Sequence, residues 1–337
     1  MKKALLTFLT FITLILCVTA FASCGETSQF RYSWDEDTVN IIALEKCTDS
    51  KLVIPRSINN MPIIDVCMHS NRKTKQKYMD SVTDIILHDD IIRIYISGFT
   101  NLNYNEYKNG KYLGTLDNPY YAFIESIDSE ASTINIHPDT KIFGYGAFRS
   151  MKNLESIVLP DETKHAGIVM FSGCRNLVSV ILPENMKTLT EGMFKGCTAL
   201  KNVTFRDGVE NIHKFAFSGC SALESITIPD SVSTISMYAF NECTSLTKLT
   251  LGENIRIIGD GAFHYCTSLE DIEFPSSITK IGKYSFEKCI NLKSIRFCGT
   301  MEKWNIVEAN SPDWNSQSNI EYIYCSDGVI EITEEDR

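Results

Sequence analysis

Phenylalanine recurs at one fixed interval along the chain: Phe148, Phe171, Phe194, Phe217, Phe240, Phe263 and Phe286, each 23 residues after the last. A period of about 20–29 residues marks a solenoid, in which each coil buries its apolar edge against its neighbours. Other columns keep the same step. Cysteine follows the phenylalanine by three residues at Cys174, Cys197, Cys220, Cys243, Cys266 and Cys289, and leucine follows it by six from Leu154 to Leu292. Nine and eleven residues on lie apolar pairs such as Ile157/Leu159, Ile226/Ile228 and Ile295/Phe297. That alternation predicts a half-buried strand, often ended by proline (Pro160, Pro183, Pro229, Pro275) where the chain turns. Each coil is read as one short strand, a turn and a return segment, stacking into a parallel sheet along one side.

The columns resemble the bacterial BspA-like leucine-rich repeats, most closely in AFSGCSALESITIPDSVSTIS (216–236). The resemblance extends to the less regular N-terminal half. Leu52-Val53-Ile54-Pro55 with Ile58 and Ile63 looks like an opening repeat. Ile85-x-Leu87 with Ile91, Ile94 and Phe99 fits the template, and so does Ile134-x-Ile136 with Phe143 and Phe148. It covers roughly residues 50 to 330, and implies a leucine-rich repeat solenoid with a role in surface adhesion or in host and intermicrobial binding. It names no ligand, because function resides in sites grafted onto folds.

Between Phe99 and Ile134 the chain takes 35 steps where the template takes nine, which defines an insert at about 101–133. Asn109-Gly110 predicts a hairpin turn, with Tyr104, Tyr107 and Tyr112 alternating around it, and Tyr120–Ile124 a further strand. Two readings stand. One is a ligand-binding ear built from Tyr104, Tyr107, Tyr112, Tyr120 and Tyr121. The other, favoured because aromatic rings are chiefly core material, is a small β insert packed on the solenoid flank.

Lys2-Lys3, an apolar run from Ala4 to Ala22 and Phe21-Ala22-Ser23-Cys24 read as a secretory signal peptide (1–23) ending at a lipobox-like site. Cys24 is the expected lipid attachment point, residues 24–31 a lipidated tether, 32–297 the solenoid and 298–337 a C-terminal cap and tail. An uncleaved membrane anchor is the competing reading, since the run approaches the ~20 residues needed to span. Both put the solenoid outside the cytoplasmic membrane, with a bacterial cell-surface location. The chain carries −10, and −12 without Lys2 and Lys3. So acidic a chain, without a basic run, argues against nucleic acid as partner.

Twelve cysteines in an exported chain ordinarily suggest disulfides. The ladder cysteines instead project in parallel from coils ~4.8 Å apart, where a bridge wants converging Cβ atoms ~3.5–4.5 Å apart. They read as small buried hydrophobes. Cys17 falls in the signal peptide, and Cys47, Cys67, Cys298 and Cys325 remain, the last two candidates for one column and a disulfide. Trp304 and Trp314 break the period and read as a cap over the solenoid end, with a carbohydrate-binding pair as the alternative.

No catalytic site is read. The histidines (His69, His88, His137, His165, His213, His264) form no nucleophile or metal motif. His88 and His137, expected as neighbours near Asp89, Asp90 and Asp139, could ligate a metal but read more simply as polar turn residues. No metal and no cofactor are expected. What remains is the outward strand face, a hydroxyl ladder in its middle and charged at its C-terminal side. Its directional groups, Lys248, Asp271, Glu273 and Arg296, are the candidate ligand-binding residues. Such a broad face suits a host or microbial surface protein or glycan better than a small substrate needing ~300–1,000 Å³ of pocket. The sequence thus reads as a monomeric, lipid-anchored binding or adhesion module; a structural envelope component without its own ligand is the alternative.

Overall fold

The computed structural model describes residues 30–34, 39–44, 50–69, 76–206, 208–311 and 313–333. The signal-peptide, Cys24 and Cys47 expectations lie outside them. Contacts divide the chain into two compact units, one up to Ile91 together with Tyr95–Asn103, the other Ile92–Ile94 together with Tyr104–Arg337.

In the first unit Phe30–Trp34 pairs antiparallel with Val39–Leu44, which runs parallel to Met61–His69. Phe30 is buried, so this sheet begins inside the segment read as tether. The opening repeat is present: Lys51–Val53 lies parallel to Asp84–Ile86, with Leu52 opposite Ile85.

The second unit holds the regular array. Strands Ser156–Val158, Ser179–Ile181 and Asn202–Thr204 form one parallel sheet. Ser225–Thr227, Lys248–Thr250, Asp271–Phe274, Ser294–Phe297 and Tyr322–Cys325 form another, closed by antiparallel Gly328–Glu331. The register advances by 23 residues, as in Ser179 opposite Asn202, so identical columns superpose. The phenylalanines are fully buried and stack ring on ring, with centroids 4.9 Å apart for Phe217/Phe240 and 5.4 Å for Phe240/Phe263. A single column of inward rings is what gives this side of each coil its bulk.

Two regularities go beyond the sequence reading. The return segment carries a second parallel ladder of two-residue strands, Thr188–Leu189, Asn211–Ile212, Thr234–Ile235, Ile257–Ile258 and Lys280–Ile281. At the turn, the phenylalanine N–H donates to the next coil: Phe194 to the Ala216 carbonyl (2.8 Å), Phe217 to Ala239 (2.7 Å) and Phe240 to Ala262 (2.8 Å). These bonds satisfy backbone groups that a turn would otherwise bury unpaired. They hold two columns at positive φ, two residues either side of the phenylalanine. One runs through Val169 (52°), Phe215 (58°), Tyr238 (55°) and Tyr284 (58°), the other through Gly219 (75°), Glu242 (59°), Tyr265 (60°) and Lys288 (63°). Branched and aromatic residues seldom occupy that region; here the inter-coil bonds impose it.

The ladder cysteines are free and buried, and each thiol donates to the phenylalanine carbonyl of the preceding coil: Cys174 to Phe148 (2.9 Å), Cys220 to Phe194 (3.2 Å), Cys289 to Phe263 (3.1 Å). Cys298 and Cys325 are also free. Arg296 pairs with Tyr324, so the next step sets Phe297 beside Cys325; the expected shared column is corrected by one residue.

In the insert, Asn105–Tyr107 and Gly110–Leu113 form the hairpin, Ala122–Ser126 adds antiparallel, and Ile142–Phe143 joins parallel. Tyr107 pairs with Gly110, so the loop is Lys108-Asn109, with Lys108 at φ 52°, one residue earlier than expected. Gly110 serves close packing instead: a Cβ there would meet the Phe123 ring at 2.7 Å. Residues 134–136 form no strand. Nearby, the His137 N–H donates to the Tyr112 hydroxyl (3.0 Å), so the insert takes up a backbone group that a neighbouring strand would pair.

At the C-terminus the helix Met301–Ala309 starts at Thr300, whose hydroxyl accepts from the Lys303 N–H (3.2 Å). Both tryptophans are buried: Trp304 packs on Phe274 (6.2 Å), Phe297 (5.3 Å) and Trp314 (5.5 Å), and Trp314 meets Phe286 (6.1 Å). They cover the last coil's core and leave no ring face for a sugar.

Candidate interaction surface

Alternation along the C-terminal strands sorts their side chains. Leu249, Ile272, Phe274, Ile295, Phe297 and Ile323 point inward and are buried, while Lys248, Asp271, Glu273 and Arg296 point outward. Lys248 stands opposite Asp271, Asp271 opposite Ser294, and Glu273 opposite Arg296. The four residues singled out in the sequence therefore meet on adjoining strands. They line an open depression of about 530 Å³ with Thr247, Thr250, Glu253 and Cys298 among its other walls.

Its electrostatics are uneven. Arg296 Nε lies 3.7 Å from Glu273 Oε2, an exposed ion pair, which contributes little to stability. Among the described residues Lys248 and Asp271 make no ion pair within 4.0 Å. The Cys298 thiol donates to Glu273 Oε1 (3.3 Å). Burial raises its pKa, and the Glu273 bond and the Glu273 and Glu253 charges raise it further. Such a thiol stays protonated at neutral pH and is a poor nucleophile.

The face continues beyond the four residues. Tyr322 pairs with Ser294 and Tyr324 with Arg296, so both rings stand outward on the next strand, exposed by 37% and 44% and 6.2 Å apart. The 23-residue step alone does not single them out. Their signal was the alternation Tyr-Ile-Tyr, obscured because the cap helix lengthens the step from Ser294 to Tyr322 to 28 residues.

The insert tyrosines sit differently. Tyr112 and Tyr121 are buried. Tyr120 stacks on His137 at 3.9 Å and meets Tyr112 edge-on at 5.4 Å, while Tyr107 meets His137 at 4.7 Å. Burial pushes the Tyr104 hydroxyl up to about 12, and Lys111 Nζ lies 5.3 Å from its ring. These rings chiefly contact one another and the core; Tyr104, Tyr107 and Tyr120 alone keep partly open surfaces. Of the two histidines expected as neighbours, each belongs to a separate unit. His137 Nδ1 accepts from the Asp139 N–H (3.2 Å), a turn contact.

A parallel solenoid with an inward hydrophobic ladder and an outward strand face defines a repeat scaffold. The chain matches the BspA type leucine-rich repeat region in six copies, over residues 74–201 and 191–308, and it belongs to that family. No curated protein matches it. Among solved structures it is similar to a leucine-rich repeat protein from Eubacterium ventriosum, at 20% identity over 71% of this chain and TM-score 0.45. This chain spans 58% of that protein's length. A leucine-rich repeat protein from Bacteroides ovatus is similar at 20% identity, over 88% of this chain and 98% of its own, with TM-score 0.33. The pneumococcal vaccine antigen PcpA is similar at 16% identity, over 90% and 98%, with TM-score 0.39.

Proposed function

We propose that this chain is a non-enzymatic, lipid-anchored bacterial surface protein that docks a host or microbial surface protein on its C-terminal strand face. The supporting observation is the meeting of Lys248, Asp271, Glu273 and Arg296 on adjoining strands, with Tyr322 and Tyr324 exposed beside them. Arginine and tyrosine are enriched where protein interfaces concentrate their affinity. A glycan partner is the second outcome of the same binding array, and a monomer suffices for either.

Replacing Lys248, Asp271, Glu273 and Arg296 together by alanine should abolish binding to a partner identified by arraying the protein against matrix proteins and glycans. Melting should change little, because exposed truncations typically shift stability within about ±0.5 kcal/mol each. A companion variant replaces residues 104–124 by a short linker. If the quadruple variant binds normally and the insert variant does not, the tyrosine-rich insert is the recognition element. If no partner binds saturably, the structural envelope role takes precedence.

The anchor has its own test. Cys24→Ala should leave a full-length precursor and abolish fatty-acid labelling, since the thioether requires that sulfur. Persistent labelling would place the lipid elsewhere.

A further inference from the structure

A second chemistry is assembled at the first unit's repeat turn. Parallel pairing of Lys51–Val53 with Asp84–Ile86 continues through the Ile54 N–H, which donates to the Ile86 carbonyl (2.9 Å). This sets Arg56 beside the turn His88-Asp89-Asp90. The guanidinium spans both carboxylates, with Nη2 2.5 Å from Asp89 Oδ1 and Nη1 2.5 Å from Asp90 Oδ2. His88 is only 6% exposed, and among the described residues neither ring nitrogen has a partner at hydrogen-bond geometry, although the Pro55 backbone interacts with the ring; Nδ1 lies 3.6 Å from Asp90 Oδ2. One nitrogen and two carboxylate oxygens lie within 4.8 Å of one another.

A buried imidazole without a hydrogen bond is costly unless something else uses its lone pair. Its Nδ1 faces the Asp90 carboxylate, within reach of a cation shared by both groups. We propose that His88, Asp89 and Asp90 form a divalent-metal site of the imidazole–carboxylate class, and that Arg56 is the resident cation which the metal displaces. Mixed nitrogen and oxygen ligands suit Zn²⁺. Tetrahedral bonds of about 2.0–2.2 Å require ligand atoms roughly 3.3 Å apart. The carboxylates are 64% and 57% exposed, so they can rotate to close that gap while His88 stays fixed by burial. Arg56 is equally accessible, at 63%, and can swing into water.

Arg56 makes the proposal separable from adventitious binding to surface acids. Titrating the full chain with Zn²⁺ by calorimetry, with ring-nitrogen NMR of the histidines, should show one site that shifts His88. Asp90→Asn and His88→Ala should each weaken that site at least tenfold. Arg56→Gln should strengthen it severalfold, because the competing cation is gone while both carboxylates remain. Asp90→Asn changes an exposed group and guards against misfolding of the His88 variant. Absence of a wild-type site, an unshifted His88 ring, or equal affinity in Asp90→Asn would overturn the proposal. Weaker binding in Arg56→Gln would overturn the displacement and leave the arginine a structural clamp.

Discussion

Raising the pH from 8 to 10 should destabilise the repeat array by several kcal/mol, on roughly 1 kcal/mol for each of six buried thiols. Burial raises every ladder thiol above its ordinary value of 9.0, Cys174 and Cys289 to about 12 and the interior four well above it. The folded chain therefore holds its thiol protons where the unfolded chain has lost them. Stability is fully present below pH 9 and drains away as pH climbs toward the folded values. The expected loss is comparable with the whole stability of many domains, about 5–15 kcal/mol, so unfolding should begin between pH 9 and 11. Urea midpoints measured against pH in a reducing buffer test this. Tyrosines and lysines titrate in the same range, so the decisive comparison is Cys220→Ala/Cys243→Ala/Cys266→Ala. Removing three of the six thiols should roughly halve the slope. An unchanged slope would assign the alkaline loss to other groups.

Phe240→Ala should cost about 3–5 kcal/mol, the range for truncating a buried ring. Phe240 is wholly buried and lies between Phe217 and Phe263, with ring planes 12° apart on both sides. Neither neighbour can fill the space without giving up its own stacking partner. Two backbone-linked contacts converge there as well: the Phe240 N–H bonds to Ala262, and its carbonyl accepts from the Cys266 thiol (3.2 Å). A fall in urea midpoint of that size, with faster hydrogen exchange in the coils of Phe217 and Phe263, is the expected outcome. A loss below about 1 kcal/mol would mean that the site collapses freely, against the close packing that buried columns imply.

The column residues were legible in sequence because the coils repeat at a constant step: Phe240, Cys243, Leu246 and Leu249 each announce a side-chain direction. What escaped notice was set by contacts between coils. The two-residue ladder at Thr234–Ile235 is too short for alternation to register. Val169 and Tyr238 hold positive φ against their own preference, since bonds to the next coil dictate the turn. Gly110 looked like a turn residue, but its value lies in admitting the Phe123 ring. At the candidate face, Lys248, Asp271, Glu273 and Arg296 were found because they lie within the regular step. Tyr322 and Tyr324 were not, because the helix Met301–Ala309 intervenes before the strand that carries them.

The paired positive-φ columns have a consequence for how such a chain can change over generations. Each turn borrows its backbone shape from its neighbour, so its conformation belongs to the position in the coil more than to the amino acid there. Side chains as unlike as Val169, Phe215 and Tyr284 occupy one column. The heritable unit is then the whole 23-residue coil. Duplicating one lengthens the outward face by a strand and leaves every register intact. Deleting a single residue would throw the phenylalanine, the thiol and both turns out of step together. The surface is free to diversify, and the length to vary, only in steps that the backbone bonds between coils permit.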